Sequence, residues 1–133
     1  MENFDILINE SNLDKRIEEL AKEIMRDYKD EDLVFVGVLK GAAVFMIELA
    51  KKIKNSVEFE FIQVESYQGT ESTGKIKLKQ DLIDKIEGRN IIIIEDIVDT
   101  GFTMQRLLET LGTRNPEAIH IASLLVKPDK LKV

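Results

Sequence analysis

Two acids, Glu95 and Asp96, stand side by side directly after the apolar run Ile91-Ile92-Ile93-Ile94. Two unit charges at ~4 Å repel by roughly 4 kcal/mol at an effective dielectric near 20. A fold keeps such a pair where a cation or several hydrogen-bond donors answer it, and two ribose hydroxyls with a magnesium ion would do so. A little further on, Asp99-Thr100-Gly101-Phe102-Thr103 opens a helix. Gly101 permits a tight turn, the first N–H groups of a helix lack intrahelical partners, and two hydroxyls stand beside them. With the positive end of the helix dipole, that is a cradle for a monophosphate. One segment therefore offers a diol or metal clamp and a phosphate clamp a sugar's length apart, which suits ribose 5-phosphate. The plainer alternative is a buried strand followed by a solvated acidic loop.

An alternation of helices and strands must position these groups. Leu13, Ile17, Leu20, Ala21, Ile24, Met25 and Tyr28 recur at helical spacing, with Ser11 as the expected N-cap. The continuous apolar run Leu33-Val34-Phe35-Val36-Gly37-Val38 predicts a strand buried on both faces. After Leu39-Lys40-Gly41 a helix is expected from Ala42 to about Ile53. Val57 to Val64 reads as a strand with Val57, Phe59 and Phe61 on one face and Glu58 and Glu60 on the other. A polar loop runs from Ser66 to Gly74, and Ile76 and Leu78 then alternate with lysines as a short strand. Asn90 to Ile94 is the most apolar strand, followed by a helix from about Phe102 to Thr113 and a last strand from Ala118 to Val126. This order predicts an α/β fold with a mainly parallel sheet flanked by helices. Ligands of such sheets bind beyond the carboxyl ends of the strands, where the acids and the Asp99–Thr103 turn fall. His120, early in the last strand with Ala118 and Ala122 on its face, reads as structural.

Composition narrows the chemistry. The 133 residues suit a single domain over 1–133, and 44% hydrophobic with 33% charged residues is the balance of a globular protein. A net charge of −6 without a basic block argues against a nucleic-acid partner. With no cysteine and one histidine, disulfides, thiolate chemistry, Cys-based zinc sites and histidine metal clusters are excluded. The start Met1-Glu2-Asn3-Phe4-Asp5 lacks a signal peptide's pattern, and no stretch is long and apolar enough for a bilayer, so a cytoplasmic setting without a membrane partner is expected.

The Ile91–Thr103 segment (apolar strand, two acids, two apolar residues, then Asp-Thr-Gly and a further Thr) resembles the signature of the phosphoribosyl pyrophosphate-binding family. The chain is identified as similar to the hypoxanthine-guanine phosphoribosyltransferases, of type I fold, on two further pieces. Leu39-Lys40-Gly41 resembles the loop that turns backbone amides and a lysine toward the leaving pyrophosphate, often with a cis peptide before the lysine. Leu124-Leu125-Val126-Lys127 resembles the strand end whose lysine donates to O6 of a 6-oxopurine. The resemblance implies that Lys40 and Gly41 bind pyrophosphate and that Glu95 and Asp96 hold the ribose and Mg2+. It also implies that Asp99, Thr100, Gly101, Phe102 and Thr103 bind ribose phosphate, with Asp99 accepting the proton from purine N7. Ser66 and Tyr67 would belong to a mobile lid. The implied partners are phosphoribosyl pyrophosphate, a 6-oxopurine base and further copies of the chain, as a dimer or tetramer.

The chain departs from the family by ending at Val133, inside an apparent strand with Leu131, where relatives carry a purine-stacking aromatic and an Asp for a second magnesium. A short or incomplete form is therefore expected. Ala42 stands where a second glycine is common. Two rival readings remain: a non-catalytic sensor of phosphoribosyl pyrophosphate that regulates transcription, and a P-loop nucleotidase. The second rests on Gly69-Thr70-Glu71-Ser72-Thr73-Gly74-Lys75, but Ile76 follows where a magnesium-binding Ser or Thr is needed.

Overall fold

The computed structural model describes residues 10–66, 76–98 and 102–126. Their order is α1 (Glu10–Asp27), β1 (Leu33–Val38), α2 (Ala42–Ala50), β2 (Val57–Ser66), β3 (Ile76–Gln80), β4 (Asn90–Val98), α3 (Phe102–Gly112) and β5 (Ala118–Val126). The strands form one sheet in the order β3-β2-β1-β4-β5. All neighbours are parallel except β2 and β3. The expected α/β architecture is therefore present.

Burial on both faces explains the apolar strands. Successive strand side chains point to opposite sides. Leu33, Phe35, Ile92 and Ile94 accordingly pack under α1 and α2 with Ile17, Leu20, Ile24, Phe45 and Leu49. Val34, Val36, Ile91 and Ile93 pack on the other face with Ile86 and with Met104, Leu107 and Leu111 of α3. Burying an isoleucine side chain contributes about 1.5–3 kcal/mol, and Ile91, Ile92, Ile93 and Ile94 of β4 are each at most 2% exposed. They hold the strand that carries the acids.

Several boundaries differ from expectation. Helix α1 is already under way at Glu10, so Ser11 lies in its first described turn and is not its cap. Helix α2 stops at Ala50, with Lys51 as C-cap; Ile53 is buried beyond the helix end, which extended the apparent periodicity. Strand β4 does not stop at Ile94 but runs to Val98, because β5 continues to pair with it as far as Val126. The acids are therefore inside the strand. The P-loop reading fails locally as well, since a P-loop must open a helix and Ile76–Gln80 is a strand; residues 69–75 lie outside the described residues.

Two polar contacts tie the lower part of the sheet together. The Tyr28 hydroxyl of α1 hydrogen-bonds Nδ1 of His120 on β5, and the rings meet edge to face with centroids 5.7 Å apart, so His120 has the structural role expected of it. Burial, helped by Asp27 and Glu31, raises the Tyr28 phenol above its usual range. Glu60 of β2, only 5% exposed, accepts the N–H groups of Ile83 at 2.9 Å and Asp84 at 3.1 Å. It holds the connection between β3 and β4 against the sheet.

Candidate active site

The chain leaves β1 toward β2 on one side and later returns to β4 on the other. This makes the crevice above β1 and β4 the topological switch point, the usual ligand position in open parallel sheets. Strand β1 pairs with β4 only as far as Gly37 opposite Ile94. Beyond that point β4 has β5 on one edge and nothing of β1 on the other. Glu95 and Asp96 occupy this overhang.

The turn that follows β1 fills the gap. Leu39 donates its N–H to the Ile62 carbonyl at 2.9 Å, the Leu39–Lys40 peptide is cis, and Ala43 donates back to the Lys40 carbonyl at 3.3 Å. The side chain of Lys40 is exposed. Gly41 is the N-cap of α2 and has no side chain to cap the helix, so none of its own atoms fills the space before the first-turn N–H groups, an arrangement suited to anions. Ala42, in place of the expected second glycine, buries its methyl completely in the core under α2. The turn lies directly on the acid pair: a Cβ at position 41 would be 2.5 Å from Oδ2 of Asp96.

Between the acids, Asp96 donates its backbone N–H to Oε1 of Glu95 at 3.0 Å. Glu95 is half-buried, and its carboxyl is pushed up to about 8. Burial is the main cause, followed by a side-chain hydrogen bond and the charge of Asp96. Two oxygen-bearing groups that resist joint ionisation are a fitting donor set for a hard divalent cation. Among the described residues no group of three or more His, Asp or Glu gathers for a metal. Magnesium is commonly held by one or two carboxylates, with water and substrate oxygens completing its shell.

Helix α3 begins at Phe102, which puts Thr103 in its first turn, partly buried. The structure thus brings Gly41, next to Lys40 in the chain, against Asp96, and starts α3 four residues after β4 ends. Asp99, Thr100, Gly101, Tyr67 and Lys127 lie outside the described residues, as do Leu131 and Val133. Ser66 is the last residue of β2, paired with Ile76. What sequence reading did not supply is the contact of Gly41 with Asp96, since nothing local joins residues so far apart in the chain.

The profile of the phosphoribosyl transferase domain family matches residues 5–133. The chain is 43% identical over 134 residues to the hypoxanthine-guanine phosphoribosyltransferase of Dictyostelium discoideum, covering 97% of this chain and 74% of that protein. Against the enzyme of the same name from Staphylococcus epidermidis it is 40% identical over 129 residues, covering 96% and 72%. Among solved structures, a Bacillus anthracis hypoxanthine-guanine phosphoribosyltransferase with HEPES in its active site superposes with a TM-score of 0.89 at 42% identity, covering 95% of this chain and 75% of that one. With acids, turn and sheet arranged as described, the chain belongs to the phosphoribosyl transferase domain family.

Proposed function

We propose that this chain transfers the phosphoribosyl group of phosphoribosyl pyrophosphate to a 6-oxopurine, hypoxanthine or guanine, releasing pyrophosphate, as an enzyme of purine salvage. The observation that carries this reading is the contact of Gly41 with Asp96, which sets a leaving-group turn against an acid pair. Displacement at ribose C1 needs that adjacency. The bond from C1 to the purine nitrogen forms while the bond from C1 to the pyrophosphate oxygen breaks, its electron pair leaving with pyrophosphate.

Each group has a part in this. Glu95 and Asp96 hold the ribose hydroxyls, and Thr100, Gly101, Phe102 and Thr103 grip the 5-phosphate with the first turn of α3. Lys40 and the amides beside Gly41 receive the growing negative charge of the leaving group, a form of electrostatic stabilisation that often dominates catalysis. Magnesium, when bound at the acid pair, would add to that neutralisation. Asp99 takes the proton given up by the purine. Lys127 donates to O6, and Ser66 and Tyr67 belong to a lid that keeps water from C1.

The reading extends to a cytoplasmic chain acting as one domain and assembling as a homodimer or tetramer. The exposed apolar side chains Val44 and Ile47 on α2 support assembly. Among the described residues no helix is long and apolar enough to cross a membrane.

Base choice is the test. An amino group at position 6 would face the Lys127 ammonium donor to donor, at a cost of about 1–3 kcal/mol, or roughly five- to 150-fold. With magnesium and phosphoribosyl pyrophosphate, hypoxanthine and guanine should give nucleotide and adenine should lag by that factor. Equal use of adenine would remove the 6-oxopurine assignment.

A further inference from the structure

Gly41 has an unremarkable backbone, at φ −63° and ψ −28°, which is right-handed helical geometry. Alanine adopts that conformation with less loss of chain entropy than glycine, so conformational freedom is not what position 41 requires. Gly88 is the opposite case: its φ of +75° selects glycine, while a Cβ there would meet nothing within 4 Å. At Gly41 the constraint is space. A Cβ would lie 2.5 Å from Oδ2, 3.0 Å from Cγ and 3.1 Å from Oδ1 of Asp96. Because Cγ itself is that close, spinning the carboxylate about its last bond leaves the overlap in place. Either Asp96 would change its χ1 rotamer or the turn would withdraw. Both moves take the carboxylate away from the turn.

We propose that Gly41 is a positioning residue whose missing side chain lets the leaving-group turn close on Asp96 and sets where that carboxylate stands in the acid pair. The inference rests on the phosphoribosyl-transfer reading and deepens it. The grip on pyrophosphate and the grip on ribose share one packing contact, so neither can be tuned alone. A methyl group at position 41 carries no charge and breaks no hydrogen bond of its own, yet it dislodges an acid 55 residues away in sequence.

A double-mutant cycle tests this, using the wild-type chain, Gly41→Ala, Asp96→Ala and the double variant. The first readout is the melting temperature without ligand or metal. If the two residues compete for space, Gly41→Ala is distinctly better tolerated on the Asp96→Ala background, where the obstructing atoms are gone, than on the wild type. The second is steady-state kinetics with magnesium. Gly41→Ala should raise KM for phosphoribosyl pyrophosphate roughly tenfold or more while KM for the purine moves less than about threefold. A purely structural defect would lower the active fraction and leave both KM values alone. Additive melting shifts overturn the proposal, and so does coupled melting with an unchanged KM for phosphoribosyl pyrophosphate. Coupled melting in a wild-type chain that transfers nothing supports the packing and removes the functional reading beneath it.

Discussion

Asp96 donates its backbone N–H to Glu95 at 3.0 Å, while the Asp96 carboxylate helps burial to push the Glu95 carboxyl up to about 8. Without a cation, the pair thus keeps a proton at neutral pH. The folded state binds this proton more tightly than the unfolded chain, whose carboxyl has the ordinary value of 4.5. The resulting stability is fully present below about 4.5 and is lost as pH rises through about 8.

Thermal melts of the metal-free chain should therefore fall across that window, and the fall should be shallower in Glu95→Gln, which cannot titrate. Parallel profiles for the two proteins would show that Glu95 ionises freely in the fold.

Glu60 gives a prediction about stability alone. Its buried carboxylate satisfies two backbone donors, of Ile83 and Asp84. Removing it in Glu60→Ala leaves both without their acceptor and should cost about 2–4 kcal/mol in denaturant unfolding. Glu60→Gln, which keeps one acceptor oxygen, should cost less. A loss below about 0.5 kcal/mol in the alanine variant would mean that water takes over both bonds.

Lys40 is exposed on its turn, so Lys40→Ala should leave the melting temperature nearly unchanged. The rate of pyrophosphate-forming turnover should drop by roughly 10²-fold, the scale of losing one well-placed electrostatic contact. A normal rate with normal pyrophosphate inhibition would return Lys40 to an ordinary surface lysine.

Asp99→Asn separates chemistry from binding. Loss of a general base lowers kcat by roughly 10²–10⁴, while asparagine keeps the shape and one acceptor oxygen, so substrate KM values should move little. The acidic limb of the pH–rate profile should vanish with the carboxylate. A variant that melts early but turns over normally per folded molecule would make Asp99 a helix cap.

Much of this was legible in the residues. Four consecutive isoleucines announce a strand covered on both faces, and Val34 and Phe35 do the same for β1; the alternation of such strands with amphipathic helices then implies the parallel sheet. The pieces of the candidate site were named from local motifs, and of these the structure brings Gly41 against Asp96. Other features depend on distant neighbours. Strand β4 continues through two acids because β5 pairs with it, and acidic residues conceal a strand's continuation. Glu60 alternates with apolar residues like a surface position, yet the backbone of Ile83 and Asp84 folds over it. Conversely, Phe59 sits in an apolar alternation but is 47% exposed. No pattern within either segment reveals that Gly41 is small because Asp96 stands against it.

The most direct measurement follows both products in one reaction mixture of the chain with magnesium, phosphoribosyl pyrophosphate and hypoxanthine. Phosphorus NMR should show the nucleoside monophosphate and pyrophosphate rising in equal amounts, with neither appearing when the base or the magnesium is withheld. Pyrophosphate released without base, or nucleotide hydrolysis in its place, would contradict transfer to a purine.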